Sequence, residues 1–81
     1  MSQWYVYIIR ATDQSLYTGI TTDVERRFAE HQSGRAGAKY FRGRRPEQLV
    51  LVESGYDRSS ASIREAQIKK LSRKQKLELI G

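Results

Sequence analysis

Five side chains in this sequence have the chemistry to work on a phosphate ester: Tyr7, Tyr17, Arg27, His31 and Glu65. A carboxylate such as Glu65 can hold a hard divalent cation, Mg2+ or Mn2+, through oxygen. The cation would neutralise a non-bridging oxygen and the leaving group. An arginine such as Arg27 can stabilise charge developing on the scissile phosphate. A tyrosine or histidine hydrogen-bonded to water can serve as general base. A phenol ordinarily titrates near ~10, so a tyrosine base needs positive charge close by. Residue types leave Tyr7, Tyr17 and His31 all open for that role. Other chemistries are excluded. The chain has no cysteine, so it holds no disulfide scaffold, Cys-rich zinc site, iron–sulfur cluster or thiol nucleophile. Its single histidine excludes a His-rich metal site. There is no glycine-rich phosphate loop.

The elements that must position these groups are short. Residues 3–10 are aromatic and β-branched and read as a strand. Thr12 to Ser15 is turn chemistry, and residues 16–20 read as a second strand, making a hairpin. A symmetric turn around Thr12 would set Tyr7 opposite Tyr17, with Gly19 on the same face opposite Tyr5. A strand glycine marks either a bulge or close approach by another backbone or a ligand. Thr22-Asp23-Val24-Glu25 has the form of a capping box. It opens a helix that runs to about Gln32 and stops near Gly34. Val24 and Phe28 mark the buried stripe of that helix, with Arg27 and His31 on the same side.

Residues 35–47 form a long basic loop, and residues 49–53 a third strand. Ser59 or Ser60 caps a helix over about 61–70. Ala61 and Ile68 mark its inner face, with Glu65 between them. Ser72 to Gln75 is a further capping box, opening a short helix that ends at Ile80. The order β-β-α-β-α-α defines an α+β class, with helices on a three-stranded sheet. Long charged residues beside an apolar stripe either snorkel to solvent or serve a function.

The chain has 81 residues, 38% of them hydrophobic, which is one core and one domain over residues 1–81. No apolar run approaches the roughly 20 residues that cross a bilayer, and no stretch reads as a signal peptide. The expectation is a cytoplasmic protein. A net charge of +6 points to a polyanionic partner or, equally, to a solubilising surface. The basic residues are concentrated from Arg35 to Arg45 and from Arg64 to Lys76. The second stretch lacks a wide apolar face with bulky aromatics, so no membrane partner is expected.

In this order, the residues resemble those of the GIY-YIG nuclease superfamily over nearly the whole chain. Tyr5-Val6-Tyr7 is similar to the first half of the signature and Tyr17-Thr18-Gly19 to the second, nine residues apart. The segment from Asp23 to His31 resembles the family's first-helix motif, and Glu65 sits where the family places its metal-binding glutamate. The stretch from Leu16 to Arg27 carries a narrower resemblance, to the small bacterial YhbQ-like (UPF0213) group. Tyr5 replaces the first glycine of the signature, and Thr18 replaces an apolar residue. The resemblance implies an antiparallel sheet flanked by helices and phosphodiester hydrolysis with one Mg2+ or Mn2+. It implies that Tyr7 and Tyr17 position or deprotonate water, Arg27 contacts the phosphate, His31 assists proton transfer and Glu65 ligates the metal. Gly19 would allow close packing beside the metal site.

The expected activity is therefore a divalent-metal-dependent endonuclease acting on DNA rather than RNA, in repair or processing. The alternative is a binding module on the same fold that is silent alone or active only with a partner. The expected contact surface comprises Gly19, Arg35, Lys39, Tyr40, Arg42, Arg44, Arg45, Lys69 and Lys70. Tyr40 and Phe41 interleave with the basic loop as candidate stacking platforms, although Phe41 equally reads as core. Lys69 or Lys70 would contact phosphate where relatives carry an asparagine, since this chain has none. Such contacts carry little sequence information, so weak sequence preference is expected. Strand structure, strand ends or a partner protein would then supply target choice.

Overall fold

The computed structural model describes residues 3–35, 41 and 43–81. Three strands, β1 (Trp4–Ala11), β2 (Leu16–Thr21) and β3 (Pro46–Tyr56), form one antiparallel sheet in the order β2-β1-β3. Three helices, α1 (Val24–Ser33), α2 (Arg58–Lys69) and α3 (Arg73–Ile80), complete the expected β-β-α-β-α-α order. Because β1 is central, both its faces are covered. Val6, Tyr7, Ile8, Ile9 and Ala11 are all buried, which explains its near-continuous apolar run. Val6 and Ile8 pack on one face against Ala61 and Ile68 of α2, with Leu79 and Ile80 of α3 closing the cluster. Tyr7 points to the other face, where it meets His31 of α1. The sheet is thus sandwiched between α1 and the α2–α3 pair.

The hairpin register differs from a symmetric turn about Thr12. Tyr7 lies opposite Gly19, and Tyr17 opposite Ile9. The turn centres on Asp13, because Ala11 N–H donates to Ser15 O at 2.9 Å and Gln14 takes the left-handed region at φ 71°. The shift is two residues, an even number, so every side chain keeps its face. Tyr5, Tyr7, Tyr17 and Gly19 still share one.

The helix starts also differ in detail. Asp23, not Thr22, caps α1 by accepting from Arg26 N–H, and Asp57 caps α2 with Ser60 as its reciprocal partner. An aspartate carboxylate competes well with a neighbouring hydroxyl for a helix's first free N–H groups. The Ser72–Gln75 box of α3 forms as expected. Gly34 terminates α1 at φ 79°, where a residue lacking Cβ is unstrained. β3 is longer than residues 49–53. Pro46 begins it at a sheet edge, where a missing N–H is tolerated. Glu47 and Gln48 hold that end by accepting from Arg10 at 3.0 and 2.7 Å.

Val24 and Phe28 do not form the buried stripe of α1. Both are half-buried, and the fully enclosed residue of this helix is His31. Among the described residues, no helix is long and apolar enough to cross a membrane.

Candidate functional site

The site forms where a phenol crosses the edge strand. Tyr7 springs from the central strand and lies over Gly19 of β2. A Cβ built on Gly19 would sit 2.5 Å from the Tyr7 hydroxyl and 2.6 Å from Cζ. The glycine is therefore the floor on which Tyr7 rests. It is buried and filled by protein, which removes it from the nucleic-acid contact set expected from sequence.

Passing over Gly19 carries the Tyr7 hydroxyl to His31, whose Nε2 lies 3.0 Å away. The Arg27 guanidinium lies one helical turn before His31, and its positive charge acts on the Tyr7 hydroxyl. Tyr17 comes from β2 itself. Its ring lies 6.3 Å from Tyr7 and 5.1 Å edge-on from His31, so the two phenols sit side by side. Glu65 comes from α2, which contacts both β1 and β2, and its charge acts on both phenols. Four elements, β1, β2, α1 and α2, thus contribute the five residues singled out by their chemistry.

Their electrostatics follow from enclosure. Burial, reinforced by Tyr17, pushes the Tyr7 hydroxyl far above the ordinary phenol range, with Arg27 opposing. Burial and the Glu65 charge raise Tyr17. Burial and the Arg27 charge lower His31, with Glu30 opposing. Neutral imidazole is accordingly the resting form. Its Nδ1 is buried without a hydrogen-bond partner among the described residues.

The His31 shift predicts a pH dependence of stability. The unfolded chain protonates this residue near 6.5 and the folded chain lower. Between the two values the unfolded state binds more protons, so stability is fully present above about pH 6.5 and falls as pH drops. The shifts of Glu53 and Asp57 begin from the lower carboxylate range, leaving the window from about pH 5 to 7 to His31. Thermal melts should show a lower Tm at pH 5 than at pH 7.5, and His31→Gln should flatten that slope. Equal slopes in the two proteins would assign the effect elsewhere.

Two ion pairs flank the centre. Glu30 accepts from Arg27 Nε at 3.1 Å, and Lys69 lies 3.6 Å from Glu65. Glu53 grips Arg64 through two bonds, of 2.9 and 3.0 Å, and also accepts from Tyr56 at 2.9 Å. This fork ties β3 to α2 at the residue preceding Glu65 and so fixes the helix phase that aims it. The tie was not apparent in the sequence, where Arg64 read only as part of a basic run.

Phe41, read from the sequence as either a stacking platform or core, is half-buried. Its ring packs 5.1 Å from Tyr17 and 4.9 Å from His31, so it walls the site. Its place among basic residues was the available signal. Of the expected contact residues, Arg35, Arg45, Lys69 and Lys70 are exposed. Arg44 is engaged by Asp13 at 3.3 Å. Lys39, Tyr40 and Arg42 lie outside the described residues.

Residues 3–78 match the GIY-YIG catalytic domain. The chain belongs to the GIY-YIG family. Within that family it is 52% identical over 80 residues to a UPF0213 protein of Syntrophus aciditrophicus, covering 99% of this chain and 92% of that one. It is 49% identical to the UPF0213 protein YhbQ of Escherichia coli K12 over 81 residues, 100% of this chain and 80% of that one. The solution NMR structure of a UPF0213 protein from Bacillus halodurans superposes with a TM-score of 0.60 at 46% identity. The superposition covers 96% of this chain and 82% of the other. The GIY-YIG match gives the chain a nuclease-type fold and, in general terms, a nucleic-acid substrate.

The residues also fit a divalent ion of limited protein coordination. Among the described residues, no three His, Cys, Asp or Glu side chains are grouped to cage a metal. Mg2+ does not require such a cage, because one or two carboxylates suffice when water and substrate phosphate complete its shell. Glu65, placed beside the two phenols, is the carboxylate suited to this. To accept the ion it need only release the exposed ammonium of Lys69.

Proposed function

We propose that this chain is a divalent-metal-dependent nuclease that hydrolyses phosphodiester bonds of DNA with weak sequence preference. The observation that carries this reading is the buried Tyr7 hydroxyl, 3.0 Å from His31 Nε2, with the Tyr17 ring beside it and the Arg27 charge acting on it. A buried phenol paired with an imidazole in this way can move a proton.

Arg27 binds a non-bridging oxygen of the scissile phosphate from the mouth of the site. Tyr17, less buried than Tyr7, meets the attacking water. The water proton passes to the Tyr17 oxygen as the Tyr17 proton moves to Tyr7 and the Tyr7 proton to Nε2 of His31. The product is an imidazolium, which enclosure and Arg27 disfavour in the free protein. A phosphate bound on Arg27 cancels that charge and raises the basicity of His31, so proton acceptance is coupled to substrate. Glu65 would hold the divalent ion, whose chemistry when bound is Lewis-acid stabilisation of charge on the phosphate oxygens.

The test is purified protein with Mg2+ or Mn2+ on supercoiled, linear and single-stranded DNA, beside Glu65→Ala and Arg27→Ala. Metal-dependent cleavage lost in both variants, with binding retained, is the expected result. Tight binding without cleavage on every substrate would replace the nuclease by a binding module. Equal cleavage by all three proteins would indicate a contaminant.

A further inference from the structure

Phe41 has two neighbourhoods. One is the Tyr17–His31 wall of the site. The other is a polar groove of about 410 Å3, which Phe41 lines with Thr12, Gly43, Arg44 and Arg45. The groove therefore adjoins the site, with the Phe41 ring at their shared border. We propose that it seats the strand adjoining the cleaved bond, with a phosphate on Arg45 and an unpaired base on Phe41. Resting on the nuclease reading, this makes the substrate class one with a single-stranded segment next to the scissile bond.

The groove is built by the fold. Thr12 N–H donates to Arg45 O at 2.9 Å, and Arg45 N–H donates to Thr12 Oγ1 at 3.2 Å. These bonds hold the Arg45 backbone against the hairpin turn. Arg44 is drawn to that turn by Asp13 at 3.3 Å and the Ser15 hydroxyl at 3.2 Å, so its charge is largely offset. Arg45 is exposed and has no carboxylate partner among the described residues. It is the cation left to meet a phosphate.

The charge of a second groove among the described residues is consistent with this path. That groove, about 380 Å3, is lined by Tyr5, Val24, Leu49 and Val52 together with Asp23 and Glu25. Its two carboxylates repel a phosphate backbone. An aromatic face next to a phosphate site takes an unpaired base of any identity, whereas an intact duplex keeps its base faces stacked inside. The same geometry accounts for weak sequence preference and gives selectivity to strand structure.

The test is fluorescence anisotropy in EDTA, where binding is read without hydrolysis. The probes are a labelled single-stranded oligonucleotide, a blunt duplex and a duplex carrying a single-stranded flap. Phe41→Ala should weaken single-strand and flap binding at least about fivefold and blunt-duplex binding by under about twofold. Phe41→Trp should restore it. Arg45→Ala should weaken single-strand binding and reduce the slope of log affinity against log salt by about 0.7, one phosphate contact. Wild-type affinity for single strands in both Phe41→Ala and Arg45→Ala would overturn the proposal. So would equal losses on single strand and duplex for Phe41→Ala. The two readings fail separately. Absence of Mg2+-dependent cleavage with these binding losses intact removes the nuclease alone, and cleavage with unchanged binding removes the groove alone.

Discussion

Tyr7→Phe should slow metal-dependent cleavage by about 10²- to 10⁴-fold, the range associated with a positioned proton-transfer group. The substitution removes one oxygen and leaves the ring over Gly19, so the shape of the site is kept. What is lost is the oxygen bonded to His31, through which the proposed relay from Tyr17 runs. Tyr17→Phe should cost a similar factor, because it interrupts the same route one step earlier. The double variant should then be little worse than either single one, as expected of groups acting as a unit. Multiplied losses would show that the two phenols act independently and would sink the relay. Removing the hydroxyl also strands Nε2 of His31 in a buried position, at a cost of about 1–3 kcal/mol. Cleavage is therefore to be measured well below the Tm of the variant, as fixed by its own thermal melt.

The strands, helices and their order were legible because each rests on local signals. β1 declares itself by five β-branched or aromatic side chains from Trp4 to Ile8, and α3 by a capping box that forms as written. Details failed where two residues could serve equally. Thr22 and Asp23 are both competent caps, and only the folded chain shows that Asp23 turns its carboxylate to Arg26. The hairpin register failed because a turn two residues longer is chemically just as acceptable. The face of each tyrosine survived because sheet parity is insensitive to a two-residue slip.

The site was legible as a set of residues but not as an arrangement. His31 illustrates why. On its helix it has a weaker claim to burial than Val24 and Phe28, which an amphipathic reading buries first. It is enclosed because Tyr7, 24 positions earlier, arrives over a glycine to bond it. That is a tertiary event with no local trace. The Glu53–Arg64 fork is of the same kind, since nothing in a run of strand residues marks Glu53 as the anchor of a helix 11 positions on. Contact residues on the basic loop were selected by charge alone. Charge does not say which arginine is spent on the protein, as Arg44 is on Asp13, and which stays exposed, as Arg45 does.

Among the described glycines, Gly19→Ala should be the most damaging substitution for packing. No unusual backbone angle is involved, and the cause is space. The new Cβ would fall 2.5 Å from the Tyr7 hydroxyl, 2.6 Å from Cζ and 3.1 Å from Cε1. In a solvent-facing site a flexible tip would swing away. Tyr7 cannot, because its ring is buried, its hydroxyl is tied to His31, and Tyr17 stands beside it. Overpacking of this kind costs about 1–3 kcal/mol, or roughly 4–8 °C in Tm per kcal/mol for a domain of this size. Whatever movement relieves the overlap also lifts the hydroxyl from His31, so cleavage should fall along with stability. Tyr7→Phe in the same background should not restore Tm, since Cζ and Cε1 still collide. Tyr7→Leu should couple favourably with Gly19→Ala, because the added methyl then enters space vacated by the ring. Additive losses in that cycle would mean that Gly19 is needed for something other than the seat of Tyr7.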